Sequence, residues 1–239
     1  MGIRKHIPNT ITCLNLFSGS IASVMAFKGF TFYALLFILL AAVFDFFDGL
    51  SARALHVSSP IGKELDSLAD MVSFGFAPSV VIYTQLTLCD MPEKVHCFLP
   101  FIAFLIAAFS ALRLAKFNLD ERQTCSFIGL ATPANALFFV GLIATTDPLM
   151  PVASYIDRAW FGFLFNPYVV VVLILIFSYL LISEIPMFSL KFKSLKWIDN
   201  KIRFIFLGIA IILLAVLQLV ALPFIILVYL LLSVTAYKE

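Results

Sequence analysis

Apolar residues run along this chain in long blocks separated by short polar breaks. The blocks fall at about 10–27, 31–52, 64–87, 97–115, 127–146, 167–187 and 204–236. Each of the first six is close to the roughly 20 residues that an α-helix needs to cross a ~30 Å hydrocarbon core. The last differs. At about 1.5 Å per residue it reaches about 50 Å, too long for one crossing and short for two. Pro223 falls where a turn would be, so the pattern predicts two short helices there, 204–221 and 223–236. The fold predicted is all-α and integral to a membrane: a polytopic bundle of about eight transmembrane helices, six in a core and two C-terminal. Residues 1–9, basic and polar with Pro8, are predicted to form a short interfacial segment.

Composition agrees with the blocks. The chain is 62% hydrophobic and 13% charged, with a mean hydropathy of +1.07, which excludes a soluble domain. All 239 residues are expected to form one membrane domain, with a core at 1–192 and a basic loop plus C-terminal helices at 193–239. Arg4, Lys5 and His6 precede the first block as in a signal peptide, but the many later blocks favour an uncleaved first helix. The net charge of +2 gives no sign of a nucleic-acid partner. Its distribution is more informative. With eight spans and both ends inside, Lys28, Lys94 and Arg158 lie outside, and the other thirteen of the sixteen Lys and Arg lie on the cytoplasmic side. A bacterial or archaeal cytoplasmic membrane is expected. The four cysteines, Cys13, Cys89, Cys97 and Cys125, have no metal-site spacing. Cys89 and Cys97 share a predicted outer loop, and free thiols are the expectation there.

Two polar features interrupt the apolar pattern. The first span carries Thr12, Asn15 and Ser18 at three-residue spacing, one stripe that faces protein. Interhelical hydrogen bonding and the wall of a polar cavity both explain it, and the sequence leaves the two open. The stronger feature is Asp45 to Asp70. Asp45 and Asp48 are three apart at the end of the second span; Asp66 and Asp70 are four apart at the start of the third. Each pair shares a helix face, at an edge of the apolar region where charge is costly unless paired, hydrated or bound to a cation. Gly49, Ala52 and Gly62 continue these faces with small residues, so helices or a flat ligand can approach closely. Clustered carboxylate oxygens suit Mg²⁺ or Mn²⁺.

The spacing Asp48-Gly49, Ala52-Arg53, Gly62, Asp66, Asp70, with Asp45 upstream, resembles the signature of the CDP-alcohol phosphotransferases. The resemblance implies that Asp45, Asp48, Asp66 and Asp70 are metal ligands for two ions, that Asp70 is also the base, and that Gly49, Ala52, Arg53 and Gly62 hold the CDP group. It also implies a homodimer. The string from Leu65 to Pro78, Pro8-Asn9 with Asn15-Leu16, Leu112 to Asn118, and Ser183 to Pro186 look like the membrane-embedded branch that makes phosphatidylserine. Ala131 departs from a position where that branch more often has proline. The implied partners are CDP-diacylglycerol, L-serine and the bilayer, with the site facing the cytoplasm.

The acceptor is read from charge. Arg113 and Lys116 lie three apart at the end of the fourth span, on one face, and arginine can hold a carboxylate bidentately. A phosphate-bearing acceptor such as glycerol 3-phosphate or inositol phosphate would need more cations than these. Arg113 is expected on the serine carboxylate with Lys116 supporting, and Asn118 and Asn135 on the ammonium side. A reading of another class, a cation-coupled carrier, also uses intramembrane carboxylates. The position of these at helix ends, beside Arg53 and a glycine-containing turn, counts against it.

Overall fold

The computed structural model describes residues 3–57, 59–120, 127–150, 165–188 and 197–236. Cys125 and Arg158 and, among the Lys and Arg assigned above to the cytoplasmic side, Arg122, Lys191, Lys193, Lys196 and Lys238 lie outside these residues.

The described residues are almost wholly helical. The helices are α1 (Ile3–Phe27), α2 (Thr31–Ala54), α3 (Pro60–Asp70), α4 (Ala77–Thr87), α5 (Glu93–His96), α6 (Leu105–Leu119), α7 (Thr132–Ala144), α8 (Pro167–Ile182), α9 (Trp197–Leu217) and α10 (Ala221–Ala236). A π-helical segment, Met71–Phe76, joins α3 to α4 without a break, so Pro60–Thr87 is one run of 28 residues. Pro78 lies inside this run, directly after the π-helical segment. Among the described residues the one sheet is a two-stranded antiparallel contact, with β1 (Phe127–Ile128) against β2 (Pro186–Met187).

Among the described residues, five runs are long and apolar enough to cross a bilayer: His6–Phe27, Thr31–Ala54, Pro60–Thr87, Glu93–Leu119 and Asn200–Thr235. This is an all-α polytopic membrane protein. The fifth run is not straight. A 3₁₀ turn at Gln218–Val220, with Gln218 at φ 54°, separates α9 from α10. The two arms fold back on each other, since the rings of Phe206 and Tyr229 lie 5.8 Å apart. The expected pair of helices is therefore present, but the turn precedes Pro223. That proline sits in the first turn of α10, where its missing N–H needs no partner. The predicted interfacial segment is also revised: from Ile3 onward it is continuous with α1.

The core lies around α4 and α7. Val80, Val81, Ile82 and Leu86 of α4 and Ala136, Phe139, Val140 and Ile143 of α7 are buried among Ala34, Leu35 and Ile38 of α2. A helix apolar on all sides is stable only when surrounded, which is the place α7 occupies. Its Phe138 stacks on Phe177 of α8 with centroids 4.0 Å apart. Around this core the outer helices expose Phe46, Leu175, Ile211 and Leu231, as lipid-facing surfaces do. Cys89 and Cys97 are free thiols.

Candidate active site

The two carboxylate-bearing helices form a hairpin with defined ends. Beyond α2, Leu55 caps the helix and His56 adopts a left-handed φ of 51°. The Val57 N–H donates back to the Ala52 carbonyl at 3.0 Å and the His56 N–H to that of Arg53 at 3.2 Å, closing the last turn. Ser59 then caps α3, its Oγ accepting from the Gly62 N–H at 3.0 Å, with Pro60 in the first turn. The reversal is tight enough to bring the end of α2 beside the start of α3. Carboxylate oxygens of Asp45, Asp48 and Asp66 all lie within 4.8 Å of one another. Asp70 joins them through a side-chain contact with Asp45 and electrostatic coupling to Asp66.

α1 closes the cluster from the third side. Thr12 Oγ1 donates to Asp48 Oδ2 at 2.7 Å, and Asn15 Nδ2 donates to Asp70 Oδ1 at 3.1 Å. The polar stripe of the first span is thus both things at once: it makes interhelical hydrogen bonds, and the carboxylates it bonds are the site. The approach is close. A Cβ on Gly19 would lie 2.6 Å from the Cα of Ser73, so only glycine admits the π-helical segment here. A π-helical turn is common beside functional groups. This one starts directly after Asp70, and its Ser73 Oγ donates to the Asn15 carbonyl at 3.0 Å.

An open cleft of about 220 Å³ lies over the cluster, lined by Pro8, Asn9, Thr12, Asp48, Gly49, Ala52, Val57, Ser59, Gly62, Lys63 and Asp66. A Cβ on Gly62 would press to 3.0 Å from Ser59 Oγ and 3.1 Å from Asn9 Oδ1. A Cβ on Gly49 would meet only the Arg53 guanidinium, at 3.6 Å. Gly62 is small because the protein fills its surroundings. Gly49 faces open cleft, so its smallness leaves room for something the chain does not itself supply.

On the far side stands Arg113, 8% exposed, with its Nε lacking a partner. It is electrostatically coupled to Asp70 and Asp45. It also lines a second, smaller cavity of about 40 Å³, with Lys116, Phe117, Asp120, Ile128, Leu181, Ile182, Ser183 and Glu184. The β1–β2 contact holds this wall in place. Gly129 N–H donates to the Ile185 carbonyl at 2.9 Å, and Gly129 has φ +76° with carbonyls of Leu181 and Ser183 at 2.8 and 2.9 Å from any added Cβ. No other residue type fits there without strain.

Most residues singled out from the sequence converge. Asp48, Asp66, Gly49, Ala52 and Gly62 meet at the cleft, Arg53 is exposed at its edge, and Arg113 and Lys116 share the second cavity. Asn118 has a different task. Its Nδ2 donates to Ser67 Oγ at 2.8 Å and its carbonyl accepts from Lys63 Nζ at 2.7 Å, so it ties α6 to α3. Asn135 is fully buried with both side-chain polar atoms unpaired, and it lines neither cavity. The sequence reading missed Lys63 as a cleft residue and Glu184 as a cavity residue. Lys63 directly follows Gly62, and Glu184 sits in the Ser183–Pro186 string, so proximity to a motif was the available signal.

The family model for CDP-alcohol phosphatidyltransferases matches residues 5–236. The chain belongs to that family. It is similar to the CDP-diacylglycerol–serine O-phosphatidyltransferase of Bacillus subtilis (strain 168), 36% identical over 61% of this chain and 80% of that protein. Proteins of the same name resemble it in Mycobacterium leprae (strain TN), 33% identical over 76% of this chain and 57% of that one, and in Methanocaldococcus jannaschii, 36% identical over 58% and 62%. The chain thus spans four-fifths of the Bacillus protein but little more than half of the Mycobacterium one.

The carboxylates fit a divalent cation. Three of them gather within 4.8 Å, and Asp66 Oδ1 is buried without a hydrogen-bond partner, a cost that a cation would remove.

Proposed function

We propose that this protein transfers the phosphatidyl group of CDP-diacylglycerol to the hydroxyl of L-serine, giving phosphatidylserine and CMP. The observation that carries this reading is the position of the carboxylate cluster between two unlike cavities. The larger, more open one is floored by small residues, and the smaller one is headed by a buried arginine. In this reading the cytidine and ribose lie in the cleft over Gly49, Ala52 and Gly62, with Arg53 and Lys63 near the diphosphate.

Asp45, Asp48, Asp66 and Asp70 hold Mg²⁺ or Mn²⁺, with two ions proposed. A bound dication neutralises the diphosphate and stabilises the departing phosphate. The residues do the rest. Asp70 accepts the proton of the serine hydroxyl. The serine oxygen bonds to the lipid-side phosphorus as the bond from that phosphorus to the bridging oxygen breaks, and CMP leaves with that oxygen and its electron pair.

Serine binds in the second cavity. Its ~40 Å³ admits roughly three waters at the ~10–15 Å³ each requires, about what a small zwitterion displaces. Arg113 meets the carboxylate, Lys116 supports it, and Glu184 offers the ammonium a negative partner in place of Asn118. Family likeness alone supports a homodimer, and the distribution of Lys and Arg supports a cytoplasmic site with both termini inside. An acceptor panel tests the assignment. Purified protein with radiolabelled CDP-diacylglycerol and Mg²⁺ is expected to form lipid product with L-serine, and far less with glycerol 3-phosphate or inositol phosphate. A product with a phosphorylated polyol and none with serine refutes it.

A further inference from the structure

Asn15 is fully buried, yet only half of its amide is used. Nδ2 donates to Asp70 Oδ1 at 3.1 Å, while Oδ1 is buried with no partner. A buried amide oxygen left unpaired is costly, and an apolar side chain of the same outline avoids that cost. Packing therefore gives no reason for asparagine here; its bond to Asp70 does. The backbone beneath it is pinned as well, since its carbonyl accepts from Ser73 Oγ at 3.0 Å and Gly19, one turn on, lies directly against Ser73. The side chain thus has a fixed base and a single polar contact.

We propose that Asn15 is a positioning residue that holds the Asp70 carboxylate in the one orientation from which it serves the attacking hydroxyl. Thr12, one turn earlier on the same helix, does the same for Asp48 through its 2.7 Å bond. α1 thereby gives one donor to each arm of the α2–α3 hairpin and sets the two halves of the site in register, although it carries none of the carboxylates. Groups that orient a first layer of ligands typically contribute about 10- to 100-fold in activity or metal affinity.

The inference rests on the role of Asp70 given above, and the test separates the two. In Asn15→Leu, assayed at saturating Mg²⁺, kcat is expected to fall about 10- to 100-fold. The KM values for serine and CDP-diacylglycerol and the CMP affinity should each stay within about threefold, and the melting temperature should not fall. Asn15→Ala is expected to lose kcat with the same retention of KM and CMP affinity, its melting temperature falling by what a cavity at a buried site costs, and it guards against misfolding of the first variant. An undiminished kcat in either variant overturns the proposal. So does a loss of kcat accompanied in both variants by lower CMP affinity and a lower melting temperature, which is the pattern of a merely structural residue. If Asp70→Asn retains kcat, it is the assignment of the base that fails.

Discussion

On one side of the carboxylate cluster the cleft of about 220 Å³ is open, and every residue lining it comes from α1, from the α2–α3 hairpin or from the turn within it. On the other side the cavity of about 40 Å³ is small, and its wall is assembled from the end of α6 with Asp120, from β1 and from the end of α8 with the two residues after it. The first is built from the first three helices in chain order and the second from segments later in the chain, between Arg113 and Glu184. In the proposed function this division matches what each side would recognise. Small residues at fixed helical spacing suit the group common to a whole family's substrates. A wall made of separate segments can be changed for a different acceptor without disturbing the carboxylates.

The comparison is sharpest where it is broken at its centre. Asp48→Asn and Asp66→Asn each remove an anionic oxygen at nearly constant shape. Both should lower kcat by ~10²-fold or more, the scale of losing one preorganised electrostatic partner of a transition state. EDTA should do the same to wild-type protein. Activity that survives saturating EDTA speaks against the carboxylates as a cation site.

The next effect should fall on the acceptor side alone. Losing a buried charged contact typically costs ~2–5 kcal/mol, so Arg113→Ala should raise the KM for serine at least about tenfold. The KM for CDP-diacylglycerol should move less than about twofold. Arg113→Lys restores charge but not the planar fork and should recover only part. An unchanged serine KM with impaired CDP-lipid binding would reassign Arg113 to the diphosphate.

On the cleft side two glycines give smaller effects that can be told apart. Gly49→Ala adds a methyl group with nothing nearer than 3.6 Å, whereas at Gly62 the added Cβ meets Ser59 and Asn9 at 3.0 and 3.1 Å. Both should raise the KM for CDP-diacylglycerol several-fold. Gly62→Ala alone should also lower the melting temperature, since overpacking of this kind costs ~1–3 kcal/mol. Equal thermal stability of the two variants would contradict the contrast drawn between their surroundings.

The smallest effect is expected at Asn118. Its amide spans to Ser67 rather than to either cavity, so Asn118→Ala should leave both KM values within about twofold and cost ~1 kcal/mol of stability. A tenfold rise in the serine KM would return Asn118 to the acceptor site.

The same contrast explains what could be read from the chain beforehand. The α2–α3 hairpin was legible because helical periodicity turns spacings of three and four directly into shared faces, and Ser59-Pro60 marks the start of α3 by capping chemistry. The two C-terminal helices were legible from length, but not their turn. Pro223 reads as a break, while the residue that takes the left-handed conformation is Gln218, a type with no strong turn preference. The apolar stretch at 127–131 reads as a helix start, yet Gly129 and the β1–β2 contact hold it extended and α7 begins at Thr132. The bonds from Thr12 and Asn15 lay beyond pattern reading altogether. Periodicity placed them on one stripe but could not say which helix that stripe meets, because partners 36 and 55 positions away are set by packing.

The central claim is that one carboxylate cluster joins a CDP-lipid side to a serine side. Serine-dependent release of CMP tests it most directly. Purified protein is given CDP-diacylglycerol and Mg²⁺, and CMP and phosphatidylserine are quantified with and without L-serine, in wild type and in Asp70→Asn. The account predicts CMP and phosphatidylserine in equal amounts, only when serine is present, and loss of both in the variant. CMP release that does not depend on serine, or no phosphatidylserine from wild-type protein, contradicts it.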